Sequence, residues 1–287
     1  MSRLRDVAPF VGMAALFLAV ELLAIALVPA FDAAGLQATE NAQDPTNSVL
    51  YFGAILVFTA FLLVAVRLGY DIVLRGVIIA SVGVLCFYAL SALVPAVAAG
   101  AGGAVVAALV AFYPEWYVVD TAGVLMGAAG AGIFGISFGV VPALLLLVVL
   151  AVYDAVAVYR TKHMLTLADG VMDLKLPVMF VVPRRAGYSF VEATGEVTED
   201  EGSDALYMGL GDAVIPGVLV ASAAHFVGYA PAVGALVGAL AGFVLLMRKV
   251  AEGEPHAGLP LLNGGAIAGF FVGAYVVGVT PLEAVGL

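Results

Sequence analysis

Two aspartates stand where a carboxylate is hardest to keep. Asp154 lies in "AVYDAVAVY" and Asp212 in "YMGLGDAVIP", both inside runs that otherwise match lipid-crossing segments. An acid at that depth is costly and by default marks function. Two such acids brought together in a low dielectric cannot both ionise, so the pair shares one proton. One carboxylate then draws a proton from water while the other donates to a carbonyl oxygen, which are the two halves of peptide hydrolysis. The same pair could instead relay protons or ions. On residue type and spacing alone, hydrolysis and proton-coupled transport explain it equally well.

The elements that must position these acids follow from composition. The chain has 287 residues, 64% hydrophobic and 11% charged, with mean hydropathy +1.14. A soluble chain is about half apolar and about a quarter charged, so this is an integral membrane protein in contact with the lipid bilayer. Soluble-enzyme and nucleic-acid-binding classes are excluded, the latter also by a net charge of −10. The single cysteine, Cys86, lies in an apolar run and offers neither a disulfide nor a Cys metal pair. His163, His225 and His256 are scattered with no His-Glu-x-x-His, so no metal or cofactor is implied. Arg3 and Arg5 precede an apolar stretch from about 7 to 30. That is longer than the roughly 7–15 residues of a signal peptide's apolar region, so the stretch is expected to remain as a first transmembrane helix.

Apolar runs fall at about 7–30, 49–66, 77–97, 101–113, 116–136, 139–159, 205–226, 231–247 and 258–279. The fourth is short and Gly-rich, and charge arbitrates the count. With nine spans and a cytoplasmic N-terminus, every Lys and Arg lands on the cytoplasmic side, as the positive-inside tendency requires. The expected architecture is therefore an all-α polytopic membrane protein of nine transmembrane helices with an external C-terminus. It divides into a six-helix part (1–159), a cytoplasmic loop (160–204) and a three-helix part (205–287). Within the loop, "VMFVV" has strand character, "PRRAGYSF" could return as a second strand, and "EATGEVTEDEGSD" reads as a solvated linker.

This layout brings the two aspartates to matching depths. Asp154 is six residues from Arg160, about 9 Å of helix, and Asp212 is eight residues from Asp204, about 12 Å. Antiparallel neighbours joined by the loop could present both carboxyls to one another. Of the other buried-run acids, Glu21 is given no role and Asp120 is expected at the cytoplasmic interface. Glycines at four-residue spacing, Gly123/Gly127, Gly234/Gly238/Gly242 and Gly265/Gly269/Gly273, suit close helix packing. An oligomer contact could use the same faces, though nothing specifies one. "GISFG" matches Gly-x-Ser-x-Gly and would pair Ser137 with His225. That motif works on a strand-to-helix elbow, and here it joins two apolar helices, so a glycine-rich turn is the better reading.

The local sequence decides between hydrolysis and transport. Tyr153-Asp154 and Gly209-Leu210-Gly211-Asp212 resemble the Tyr-Asp and Gly-x-Gly-Asp motifs of the presenilin and signal peptide peptidase family of intramembrane aspartyl proteases. The resemblance extends to helix positions six and seven. In "HAGLPLLNGG", Ala257, Gly258, Leu259 and Pro260 resemble the Pro-Ala-Leu-Pro form of the family's third motif, keeping Leu-Pro but with Ala and Gly in the first two places. A prepilin-peptidase-like enzyme also uses Gly-x-Gly-Asp, but the Tyr-Asp motif and nine-span layout argue against it. The cytoplasmic N-terminus matches presenilins rather than signal peptide peptidases, and the small loops suit a prokaryotic, archaeal-type homologue in the plasma membrane. The resemblance implies a presenilin-like fold and transmembrane peptide or protein substrates. It also implies catalytic Asp154 and Asp212, supported by Tyr153, Gly209, Leu210, Gly211, Gly258, Leu259 and Pro260. A substrate helix must unwind before it is cut, and an edge of "VMFVV" could pair with it, in which case a proline at Val181 would block cleavage.

Overall fold

A computed structural model describes residues 2–161, 178–185, 187–192, 204–250 and 256–286. Among these, nine helices have 17 residues or more: α1 (Ser2–Ala33), α2 (Thr46–Arg67), α3 (Asp71–Ser91), α4 (Ala96–Phe112), α5 (Trp116–Ser137), α6 (Val140–Val156), α7 (Leu210–Phe226), α8 (Tyr229–Val250) and α9 (Leu259–Val276). A four-residue α10 (Pro281–Ala284) follows. Six helical segments, in α1, α3, α5, α6, α8 and α9, are long and apolar enough to cross a membrane. Three shorter apolar ones are Thr46–Leu62, Ala96–Phe112 and Leu210–Phe226.

Continuous hydropathy hid one boundary. The apolar index runs unbroken through 77–97, yet α3 ends at Ser91 and Pro95 precedes α4. Proline lacks the N–H that would continue α3 and is well placed just ahead of a new helix. The fourth helix is accordingly longer than the 101–113 run suggested.

The bundle is organised around α5. Its sequence alternates Gly and Ala with larger residues, and most of it is buried, whereas the other long spans bury less than half of theirs. α1 and α7 pack against α5 and against each other, and the α3–α4 pair leans on its other side. Gly127 leaves room for Leu210, Val214 and Val20, so the helix carrying Asp212 seats closely on α5. α6 packs on α7 and α9, and α2 covers α6.

Two strands form, the second of them not where the sequence suggested. β1 (Met179–Pro183) forms where "VMFVV" predicts a strand. Its partner is not "PRRAGYSF", in which residues 184–185 bend and 187 turns, but β2 (Ala205–Gly209), antiparallel with Val181 opposite Tyr207. Residues 205–209 are thus strand rather than the start of a membrane helix, and α7 begins only at Leu210. "ALYMG" is apolar because it is half-buried against the bundle, which hydropathy cannot tell from lipid exposure. The linker from 193 to 203 lies outside the described residues.

The ladder's phase sets which edges are open. Leu210 N donates to Val178 O and Arg184 N to Asp204 O. By antiparallel alternation, 178/210, 180/208, 182/206 and 184/204 are the hydrogen-bonded pairs. Met179, Val181 and Pro183 therefore turn their backbone groups to the outer edge of β1, and Ala205, Tyr207 and Gly209 theirs to the outer edge of β2. Pro183 has no N–H to offer, and the Val181 N–H is taken by the Asp120 carboxylate at 2.8 Å. The edge of "VMFVV" that could have received a substrate is closed.

α8 and α9 make the most extensive helix pair in the bundle. A Cβ at Gly238 would lie 2.0 Å from the Gly265 carbonyl oxygen, and one at Gly234 would lie 2.3 Å from that of Gly269. The backbones touch because small residues face each other along the crossing. Gly238→Ala must push α8 away from α9. The expected loss is about 2 kcal/mol or more, read as a lower thermal unfolding midpoint of the purified protein in detergent, with Gly100→Ala, which meets nothing within 4 Å, as the neutral control.

Candidate active site

α6 carries Asp154 near its C-terminal end, where the helix loosens into a π turn, Ala157–Thr161. Such widened turns occur at functional positions. The Asp154 side chain is buried, 8% exposed, and points at the start of α9. Its Oδ2 accepts from the Leu259 N–H at 3.1 Å. The first amides of a helix have no partner within it and favour a nearby anion. Asp154 thus caps α9 from a different helix. One turn along α6, the Tyr159 hydroxyl accepts from Ala257 N at 3.4 Å, so α6 holds this segment at two points.

Asp212 reaches the same segment from the opposite side. It sits in the first turn of α7, directly after β2, and is partly exposed. A Cβ on Gly258 would meet the Asp212 carboxyl at 3.3–3.4 Å, and one on Gly209 would meet its Oδ2 at 3.4 Å. Both glycines therefore border the carboxyl at van der Waals distance, and Gly258 lies between the two acids. The all-helical measure of Asp212's depth is corrected by β2: Asp212 is two residues, not eight, beyond the helix start.

The remaining motif residues divide by role in the packing. Leu210 is buried and touches the face of α5 at Gly127. Gly211 is exposed, with only Ile215 within reach of a Cβ. Tyr153 stacks edge-on against Phe52 of α2, ring centroids 6.0 Å apart. Pro260 occupies the first turn of α9, where its missing N–H costs nothing, and lines a cleft of about 290 Å³ between α6 and α9. Asn263 borders the same cleft and bonds to the Leu147 carbonyl at 2.9 Å.

One other expectation changes. Asp120 is not an interfacial acid: it is 5% exposed and bonds β1. The only sequence signal for it was an aspartate inside an apolar run, because its partner is a backbone N–H some sixty residues away. Glu21 is fully buried between α1 and α7, beside Gly217, and among the described residues its carboxylate oxygens find no hydrogen-bond partner. Ser137 and His225 do not form a nucleophile–base pair. Ser137 bonds Ile133 O and accepts from Ala38 N, while His225 faces Asp32 at 3.7 Å. "GISFG" is the α5–α6 turn, strapped by the 38–43 loop through Gly139 N donating to Ala42 O.

Comparison with known proteins bears directly on this arrangement. Residues 14–279 match the family model described as signal-peptide peptidase, presenilin aspartyl protease. Among solved structures, a presenilin family intramembrane aspartate protease in space group C222 is 38% identical, covering 93% of this chain and 99% of its own, with a TM-score of 0.69. A presenilin family intramembrane aspartate protease in space group P2 is 40% identical, covering 93% and 98%, also with a TM-score of 0.69. No curated protein matches. A match over nearly the whole chain, together with two acids meeting at one helix start inside a membrane bundle, settles membership: the chain belongs to the signal-peptide peptidase and presenilin family of aspartyl proteases.

Proposed function

We propose that Asp154 and Asp212 form the catalytic dyad of an intramembrane endopeptidase that hydrolyses peptide bonds of transmembrane segments. The observation that carries this is the convergence of both carboxyls on Gly258–Leu259. The pair holds one proton between two acids and a water against them. The ionised carboxylate takes a proton from the water as its oxygen attacks the scissile carbonyl carbon. The protonated one donates to the carbonyl oxygen, giving a tetrahedral gem-diol. Its collapse breaks the C–N bond, with a proton delivered to the leaving amine. The nine-span layout with a cytoplasmic N-terminus puts the dyad nearer the cytoplasmic face, and the compact loops fit the plasma membrane of a prokaryote.

A helical substrate hides its peptide bonds in its own hydrogen bonds, so it must be drawn out before attack. With β1's outer edge closed by Asp120 and Pro183, the edge that suits strand addition is that of β2. β2 runs into α7 within three residues of Asp212, so a strand added there leads to the dyad. Gly258 leaves the space between the acids free of a side chain.

Purified protein with a transmembrane peptide tests the dyad. Asp154→Asn and Asp212→Asn should each lower turnover on the order of 10²–10⁴-fold with the fold intact by thermal unfolding. Cleavage at the wild-type rate in either variant removes the proposal, and ion flux without cleavage in vesicles would return the pair to transport. Tyr207→Pro deletes an outward N–H of β2 together with the phenol and should reduce kcat/KM about tenfold below Tyr207→Ala, which loses the phenol but keeps the N–H, while Tyr207→Phe, which loses just the hydroxyl contact to Tyr188, should stay near wild type. Equal activity of the proline and alanine variants would show that β2's edge carries no substrate.

A further inference from the structure

We infer that Asp120 is a positioning residue that fixes where along the substrate the enzyme cuts, by closing one edge of the β1–β2 sheet and locking that sheet onto α5. The inference rests on the proteolytic reading above. Its starting point is an acid that the chemistry of the dyad does not use. Asp120 is 5% exposed, and its Oδ1 accepts the outward N–H of Val181, the central residue of β1. A buried carboxylate bonded to a backbone amide defines that strand's position more sharply than side-chain packing does.

The neighbouring contacts act in the same direction. One turn and a half earlier, Glu115 accepts from Ser189 Oγ at 2.7 Å and from Phe190 N at 3.0 Å, tying down the chain that leaves β1. One turn later, Gly123 offers no side chain, and the Phe180 ring fills the place its Cβ would take, 2.9 Å away. Val119, Val181, Phe190 and Ala205 close the gap as one apolar cluster. α5 and its N-cap residue thus present two acids and a side-chain gap to residues 189–190, 181 and 180. β2 joins that cluster through Ala205 and otherwise packs on α1 and runs into α7, so β1 carries the hydrogen bond that ties the sheet to α5.

Two consequences follow. A peptide cannot add to β1, because its middle donor is already engaged and Pro183 supplies none, so addition is confined to β2. And the sheet cannot slide along α5, so the register of an added strand relative to Asp212 is set. Side chains alternate with period two along a strand, so a slip that keeps the same faces moves the cut by two residues.

The test uses the full-length purified protein, a transmembrane peptide of known sequence, and Asp120→Ala beside Asp120→Asn. Asparagine keeps an oxygen that can accept the Val181 N–H, whereas alanine does not. Product ends are read by mass spectrometry, KM and kcat separately, and amide exchange of residues 178–182 without substrate. Asp120→Ala should expose β1 to faster exchange, raise KM about fivefold with a smaller change in kcat, and spread the products to ends two residues apart. Asp120→Asn should restore the wild-type ends. Faster exchange in the alanine variant with wild-type product ends would leave Asp120 a structural clamp alone and overturn the inference. So would an asparagine variant as altered as the alanine one, since charge rather than the accepted hydrogen bond would then matter. Failure of the proteolytic reading shows elsewhere, as cleavage that survives Asp154→Asn or Asp212→Asn.

Discussion

The hydrogen bond from the Leu259 N–H to the Asp154 carboxylate is the contact on which the arrangement of this protein turns. It solves two problems at once. A helix that begins inside a membrane exposes amides that lipid cannot satisfy, and a carboxylate at the same depth lacks the water that would solvate it. Each supplies what the other needs. The bond also fixes where α9 starts, and with it the place of Gly258, which faces Asp212. Remove it and neither the third motif nor the spacing of the acids is determined.

Around that contact the bundle separates support from chemistry. α5 seats α7 through Gly127 and anchors β1 through Asp120. The α8–α9 pair, joined backbone to backbone by glycines, holds the start of α9 from behind. The acids thus sit at the meeting point of three independently braced elements, α6, α7 and α9. Preorganisation of this kind is what a dyad needs, since hydrolysis gains little from groups that must first be assembled.

What the sequence made legible, and what it did not, follows from the kind of signal each feature leaves. Asp154 and Asp212 stood out because a charge in an apolar run is locally improbable, and Gly258–Pro260 because proline and glycine punctuate a helix start. The membrane class followed from composition, and the family resemblance from three short motifs in order. β2 was invisible: "ALYMG" is apolar and contiguous with α7, and its strand character depends on β1, more than twenty residues upstream. The break before Pro95 was blurred by a hydropathy average that carries no backbone information. Asp120 was noticed but misplaced at the interface, because its partner is a backbone amide and no side-chain pattern announces one. Its burial is a property of the packed sheet, not of its neighbours in the chain.

The dyad itself is most directly tested by an experimental structure of this protein bound to a peptide inhibitor bearing one secondary hydroxyl in place of the scissile carbonyl. The account predicts that hydroxyl within hydrogen-bond distance of both the Asp154 and the Asp212 carboxyls, with the inhibitor backbone alongside β2. A hydroxyl that engages one aspartate while the other turns away, or an inhibitor seated elsewhere in the bundle, would contradict it.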